Sequence, residues 1–116
     1  MNLIIAGSRS FDDYDLLKKE VAIFIEELNT NDVAIVCGMA NGADKLGYRY
    51  AKEYNLNIIE MPADWQQFKK SAGYIRNTEI GKISDAAIIF FNGSNGSKNM
   101  IDIMKKLNKP CKVILF

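Results

Sequence analysis

Arg9 and Arg76 are the side chains with the clearest chemistry to offer. Most of the 15 basic residues are lysines spread along helical patterns, where they solvate a surface. These two arginines fall instead in a polar loop and a helix-start segment, Gly7-Ser8-Arg9-Ser10 and Ala72-Gly73-Tyr74-Ile75-Arg76-Asn77. A guanidinium presents a planar fork of donors that matches phosphate or carboxylate, so anion recognition is the chemistry they suggest. The competing use is surface pairing with Asp12, Asp13 or Glu79. Small polar turns accompany them. Gly7-Ser8-Arg9-Ser10, Gly38-Met39-Ala40-Asn41-Gly42-Ala43-Asp44 and Asn92-Gly93-Ser94-Asn95-Gly96-Ser97 each follow an apolar run and precede a helical pattern. Such a turn offers backbone N–H groups and a helix N-terminus to an anion. Gly38 and Gly42 serve ligand contact or only a tight turn. Asp44 suits a ribose hydroxyl or merely the start of its helix. Ser94 and Ser97 suit helix caps whose N–H groups also meet phosphate. Trp65, the single tryptophan, lies in a polar stretch beside Asp64, where it stacks on a base or packs as a lid on the protein itself.

Other chemistry is excluded. The chain has no histidine, which removes Ser-His-Asp and Cys-His mechanisms, histidine bases and histidine metal sites. Cys37 and Cys111 are far apart with no metal or redox spacing, and read as buried reduced thiols. The patterns GxGxxG, Walker A, GxSxG and HExxH are all absent, so no cofactor or metal is expected. A net charge of +1 gives no basic patch for nucleic acid or an anionic membrane. Met1 to Gly7 reads as a strand rather than a leader or membrane span. The N-x-S sites at Asn92 and Asn95 matter only in a secreted protein, and the expected compartment is the cytoplasm.

The elements that must position these residues alternate. The 116 residues, 48% of them hydrophobic, suit one domain spanning 1–116. Apolar runs at Leu3–Ala6, Val33–Cys37, Ile58–Met61, Asp85–Phe91 and Cys111–Phe116 predict strands, the first of them covered on both faces. Between them, helical spacing predicts helices over Tyr14–Leu28, Ala43–Tyr54, Ala72–Ile83 and Lys98–Leu107. The expected inward stripes are Leu17, Val21, Phe24 and Leu28; Leu46, Tyr50 and Tyr54; Ile75, Ile80 and Ile83; and Met100, Ile103, Met104 and Leu107. The phenylalanines are expected in the core, and residues 63–71 form the least regular segment. Alternating strands and helices with short connections predict a three-layer α/β Rossmann-like fold with a five-stranded parallel sheet, in the order 3-2-1-4-5. The order reverses between the first and fourth strands, and the loops that end them are the first and third of the small polar turns. The topology and the glycines thus select the same edge.

Several runs match a known family in order. Ile5-Ala6-Gly7-Ser8-Arg9-Ser10-Phe11, Gly38-Met39-Ala40-Asn41-Gly42-Ala43-Asp44, Pro62-Ala63-Asp64-Trp65, Ala72-Gly73-Tyr74-Ile75-Arg76-Asn77 and Asp85 through Ser97 resemble the YspA/YpsA-related branch of the SLOG superfamily. That superfamily is Rossmann-like, binds nucleotides and nucleotide-derived ligands, and includes Lonely Guy phosphoribohydrolases, DprA proteins and sensor domains of bacterial conflict systems. The resemblance implies that Gly7, Ser8 and Arg9 lie against a ligand, and that Gly38, Gly42, Ala43 and Asp44 form the second glycine turn. It implies that Arg76 faces a sugar-phosphate and that Gly93, Ser94, Gly96 and Ser97 form a phosphate loop. Met39, Ala40, Asp64, Trp65 and Asn77 complete the candidate set from the same motifs. The hydrolases carry P-G-G-x-G-T here, followed by glutamates, one of them catalytic. This chain has Asn92 for the proline, Ser97 for the threonine, and Lys98-Asn99-Met100 afterwards. Without that carboxylate, acid or base assistance to glycosidic cleavage lacks its expected group, unless Asp44, Asp64 or Glu79 replaces it. The expectation is therefore binding of a small nucleotide or nucleotide-sugar-derived ligand at that edge of the sheet, with sensing or sequestration of a signal nucleotide as its role. Phosphoribohydrolase activity is the alternative, single-stranded DNA binding the third reading, and pairing into a homodimer or higher oligomer a further expectation.

Overall fold

The computed structural model describes residues 1–116 apart from the side chain of Lys70. Strands β1 (Asn2–Gly7), β2 (Ala34–Cys37), β3 (Asn57–Glu60), β4 (Ala86–Phe91) and β5 (Cys111–Leu115) form one sheet in the order β3-β2-β1-β4-β5. All four pairings are parallel, with Ile4 opposite Val36 on one side of β1 and Ala87 on the other. Helices α1 (Tyr14–Glu27), α2 (Ala43–Glu53), α4 (Ala72–Ile83) and α5 (Asn95–Lys106) make the crossovers, and a short α3 (Trp65–Phe68) precedes α4. This is the α/β Rossmann-like sheet that the alternating pattern requires.

Alternate residues of each strand feed separate cores. Leu3, Ile5, Ile35, Ile88 and Phe90 pack with Leu17, Val21 and Phe24 of α1 and with Tyr50 of α2. Ile4, Val36, Ala87 and Ile89 pack on the other face with Ile80 of α4 and with Met100 and Met104 of α5. β4 and the Leu3–Ala6 part of β1 are apolar throughout because both their faces are covered. Gly47 lets α2 lie close to the sheet, since a Cβ there would stand 2.8 Å from Ile5. Each fully buried side chain of the size of Leu17 contributes roughly 2 kcal/mol of transfer free energy.

The ends of the helices correct several expectations. Tyr54, Ile83 and Leu107 are exposed, because α2, α4 and α5 overrun the amino ends of the strands they cover. Tyr54 stacks on Tyr50 at 4.6 Å instead of entering the core. Phe68 and Phe116 are exposed as well, one on the short α3 and one at the outer strand. Residues 63–71 are more regular than their composition suggests: Asp64 accepts a hydrogen bond from Gln67 N at 3.1 Å and starts α3, and a single 3-10 turn joins it to α4. Helix α5 begins at Asn95, so Gly96 and Ser97 belong to its first turn rather than to the loop before it.

Candidate functional site

The cavity lies where β1 and β4 diverge, beyond their carboxyl ends, with a volume of about 540 Å³. Three loops and the starts of α2, α3, α4 and α5 build its wall. The β1 loop supplies Ser8, whose N–H donates to Phe90 O at 3.0 Å and whose carbonyl accepts from Phe11 and Ala43. Gly42 makes that contact possible: it holds φ +77°, and a Cβ would run into Ser8 O and stand 2.6 Å from Arg9 Cα. Only glycine serves there, on both conformational and steric grounds. The first two loops are thereby locked together.

Gly38 has a different reason to be small. A Cβ on it would lie 2.8 Å from Asp44 Oδ2 and 3.0 Å from Arg76 Cζ. The absent side chain is the space in which those two groups converge. Asp44, in the first turn of α2, is buried and accepts from Ala40 N at 3.2 Å. Burial raises its pKa to about 6, against the opposing pull of Arg76, the Ala40 hydrogen bond and Arg9. Arg76 reaches from α4 to donate to Gly38 O at 2.8 Å. Burial draws its pKa down, Asp44 opposes that and Arg9 adds to it. A guanidinium starts so far above neutrality that it stays charged. Its Nε is buried and has no hydrogen-bond partner, and among the described residues no ion pair joins it to Asp44. The surface pairings with Asp12, Asp13 or Glu79 are likewise absent among the described residues; Glu79 lies near Lys82 at 4.0 Å.

The third wall is the start of α5. Ser94 is its N-cap residue, yet its hydroxyl donates to Ser97 Oγ at 2.8 Å and caps no backbone N–H. The first N–H groups of a helix have no partner within it and carry the positive end of its dipole. Asn77 ties this helix to α4, donating to Gly96 O at 3.2 Å and to Asn99 Oδ1 at 3.0 Å. Nothing lies within 4 Å of where a Cβ on Gly96 would sit, so this turn faces open space. Cys37, by contrast, is fully buried under the site; burial, more than Asp44 and Glu60, pushes its thiol up to about 12, which leaves it unreactive. No cluster of His, Cys, Asp and Glu among the described residues has the makings of a metal site.

Residues 1–68 match the family described as YAcAr, the YspA, cpYpsA-related SLOG family. The chain belongs to that family. The family's matched stretch runs from β1 through α3, and so contains the first two glycine loops, Asp44 and Trp65. Arg76, Asn77 and the α5 turn lie beyond it. No curated protein and no solved structure matches the chain significantly. Membership associates a YAcAr chain with nucleotide-related ligands in general, and with no particular ligand or reaction. No helix among the described residues is long and apolar enough to cross a membrane.

Gly7, Ser8, Arg9, Gly38, Ala40, Asp44, Trp65, Arg76, Asn77, Ser94, Gly96 and Ser97 line the cavity. Met39 lines a second hollow of about 440 Å³ that shares Arg9, Gly38, Ala40, Trp65 and Arg76 with the first. Gly42, Ala43, Asp64 and Gly93 line neither. Gly42 and buried Ala43 hold the loops together from behind, Asp64 caps α3, and Gly93 makes its turn at φ +97°. Ser10, Tyr74 and Met100 line the cavity without having been singled out. Tyr74 carried a signal: it stands in the first turn of a helix that begins at the carboxyl rim, where first-turn side chains face the opening.

Proposed function

We propose that this chain binds a small nucleotide-derived anion in the cavity between β1 and β4 and holds it without turning it over. The observation that carries this reading is the convergence of Arg9, Arg76 and the uncapped start of α5 on one hollow. Guanidinium forks and free helix N–H groups both favour phosphate, and each is stronger out of water. Asp44 and Asn77 add acceptors of the kind that ribose hydroxyls engage, and exposed Trp65 and Tyr74 offer faces to a base. In a cell the consequence would be sensing or sequestration of a signal nucleotide.

Mass spectrometry of small molecules released from the purified, denatured protein tests this directly. A near-stoichiometric nucleotide supports a binder. An empty protein that also fails to bind mono-, di- or triphosphates in calorimetry removes the reading.

Glycosidic hydrolysis is the second reading, and Asp44 is the observation in its favour. Of the carboxylates able to replace the missing glutamate, Asp64 caps a helix and Glu79 is exposed near Lys82, whereas Asp44 lines the cavity. A carboxyl titrating near 6 is suited to giving or taking a proton around neutral pH. Release of free base from a nucleoside monophosphate panel, abolished by Asp44→Asn, would establish it.

A further inference from the structure

The sheet has two edges, and they are finished differently. β3 carries Asn57 and Glu60 at its ends, both exposed. Polar and charged side chains along an edge are a common device against unwanted pairing. β5 lacks that protection. It reads Cys111-Lys112-Val113-Ile114-Leu115, with Val113 and Leu115 exposed, Leu115 to 74%. Its one charge is drawn over α1 instead of standing at the edge: Lys112 pairs with Glu27, and its Nζ lies 5.7 Å from the centre of the Phe24 ring.

The ladder to β4 uses only half of the polar backbone of β5. Pro110 O accepts from Ala87 N at 2.9 Å, Phe116 N donates to Phe91 O at 3.4 Å, and the register runs from Ala87 opposite Cys111 to Phe91 opposite Leu115. Backbone groups alternate in direction along a strand. Lys112 and Ile114 therefore face β4, while the N–H and C=O groups of Cys111, Val113 and Leu115 face outward. No strand among the described residues lies beyond them. This outward row is symmetric about Val113. A second β5 laid antiparallel, with a two-fold axis at Val113, sets Val113 opposite Val113 and each Cys111 opposite a Leu115. Every outward N–H of one copy then meets an outward C=O of the other. The same placement covers the exposed Val113 and Leu115 side chains. Lys112 adds no net charge to the seam, because Glu27 already neutralises it. An unrelated strand would have to match this spacing by chance; a second copy matches it by symmetry.

We propose that β5 is the interface of a homodimer, in which two copies pair antiparallel about Val113 and join their sheets into one. The junction turns the two carboxyl rims in opposite directions, so each cavity stays open and is complete within its own chain.

Sedimentation equilibrium across micromolar concentrations tests this, and a species of twice the chain mass is expected. Leu115→Lys charges a side chain that is already exposed, and Val113→Pro removes an outward N–H that the β4 ladder does not use. Each is expected to raise the dissociation constant tenfold or more with an unchanged circular dichroism spectrum. Leu115→Cys tests the register, since it sets a new thiol opposite the native Cys111 of the other copy. Hydrogen-bonded antiparallel pairs stand about 5.5 Å apart at Cα, a separation that a disulfide spans. Oxidation with diamide is expected to give a covalent dimer from this variant, and none once Cys111→Ala is added. A wild-type chain that stays monomeric at its highest soluble concentration overturns the proposal. So does a dimer that both Leu115→Lys and Val113→Pro leave at full strength. A covalent dimer that persists after Cys111→Ala also overturns it, because the introduced thiol would then be meeting its own copy.

Discussion

The two rims of the sheet are built from opposite principles. At the amino rim three of the four crossover helices, α1, α2 and α5, end in asparagine: Asn29, Asn55 and Asn108 take φ +53°, +55° and +55°, the left-handed turn that closes a helix. After α2, Asn55 N donates to Lys52 O at 3.3 Å and Leu56 N to Ala51 O at 2.8 Å. After α5 the same pair of bonds runs from Asn108 to Lys105 and from Lys109 to Met104. Asp85 and Lys109 side chains take up further backbone groups, at Asn2 N and Gly81 O. At the carboxyl rim, α2 and α5 start without a side-chain cap, Asp44 is buried, and Arg76 Nε lacks a partner. One rim satisfies its polar groups within the chain; the other keeps donors and a carboxylate in reserve around a hollow. The second arrangement is what the proposed site requires, since a site that must face a ligand gives up local satisfaction of its polar groups.

The largest expected effect breaks the carboxyl rim at its hinge. Gly42→Val places a branched side chain at φ +77° and drives it into the backbone of Ser8 and Arg9. The conformational strain and the enforced separation of the loops are expected to cost roughly 3 kcal/mol or more, read as a lower urea midpoint. A loss under about 1 kcal/mol would mean that the two loops can part freely, and that their interlock does not shape the cavity.

Arg76→Ala separates the two functions of that rim. The variant is expected to weaken binding of ADP by about 2 kcal/mol, close to thirtyfold, because charge-assisted hydrogen bonds are lost. The variant is expected to stay folded but to lose about 1 to 2 kcal/mol of stability at neutral pH, because the bond to Gly38 O goes and buried Asp44 loses a nearby positive charge. Unchanged affinity in calorimetry would remove Arg76 from the site.

Asp44 makes the same rim sensitive to pH. Its carboxyl titrates near 3.8 in an unfolded chain and near 6 when folded. Between those values the folded state binds more protons, so stability falls as pH rises through that window, and the full penalty is present above about 6. The interval corresponds to roughly 3 kcal/mol. That penalty already includes the pull of Arg76, but Asp44→Asn also buries an amide NH₂ without a matched acceptor, so the net gain at pH 8 is expected to be smaller, about 1 to 2 kcal/mol. Near pH 3.5 the variant and wild type should unfold at closely similar midpoints. A gain that is as large in acid as at pH 8 would show that something other than the titration of Asp44 is responsible.

The legibility of the chain follows the same division. The sheet order was readable because β1 and β4 are apolar on both faces and short turns force neighbours, which leaves few topologies. The convergence of Ser8, Arg9, Asp44 and Arg76 was readable because parallel crossovers deliver every strand's following loop to one rim. What sequence did not reveal were the ends. Tyr54, Ile83 and Leu107 keep the helical period of a buried stripe but sit past the strand ends, and periodicity carries no information about where the sheet stops. Asn95-Gly96-Ser97 has a loop's composition, yet α5 begins at Asn95, because tertiary packing with α4 through Asn77 outweighs that propensity. Ala63 and Asn41, at the smaller hollow, had no signal beyond their motifs, since a hollow between two loops depends on distances that spacing does not encode.

The smallest effect sharpens the contrast from the other side. Asn55→Gly keeps the left-handed turn after α2, because glycine adopts φ +55° more freely than asparagine. The backbone bonds from Asn55 and Leu56 to α2 remain available, so the folded state loses little. Glycine also loosens the unfolded chain, which offsets the relief of strain. The net change is expected to stay within about 0.5 kcal/mol, with nucleotide affinity unchanged, because this turn sits at the rim opposite the cavity. Equal insensitivity at Met39 would not follow. Met39→Gly relieves a comparable backbone strain at φ +63°, but removes a wall of the smaller hollow. The lost packing against the core offsets that relief, so stability is expected to change by less than about 1 kcal/mol, while nucleotide affinity falls with the wall beside Arg9 and Arg76. If both variants leave binding untouched, the strain at Met39 is merely tolerated, and the difference between the rims lies in Arg9, Arg76 and Asp44 alone.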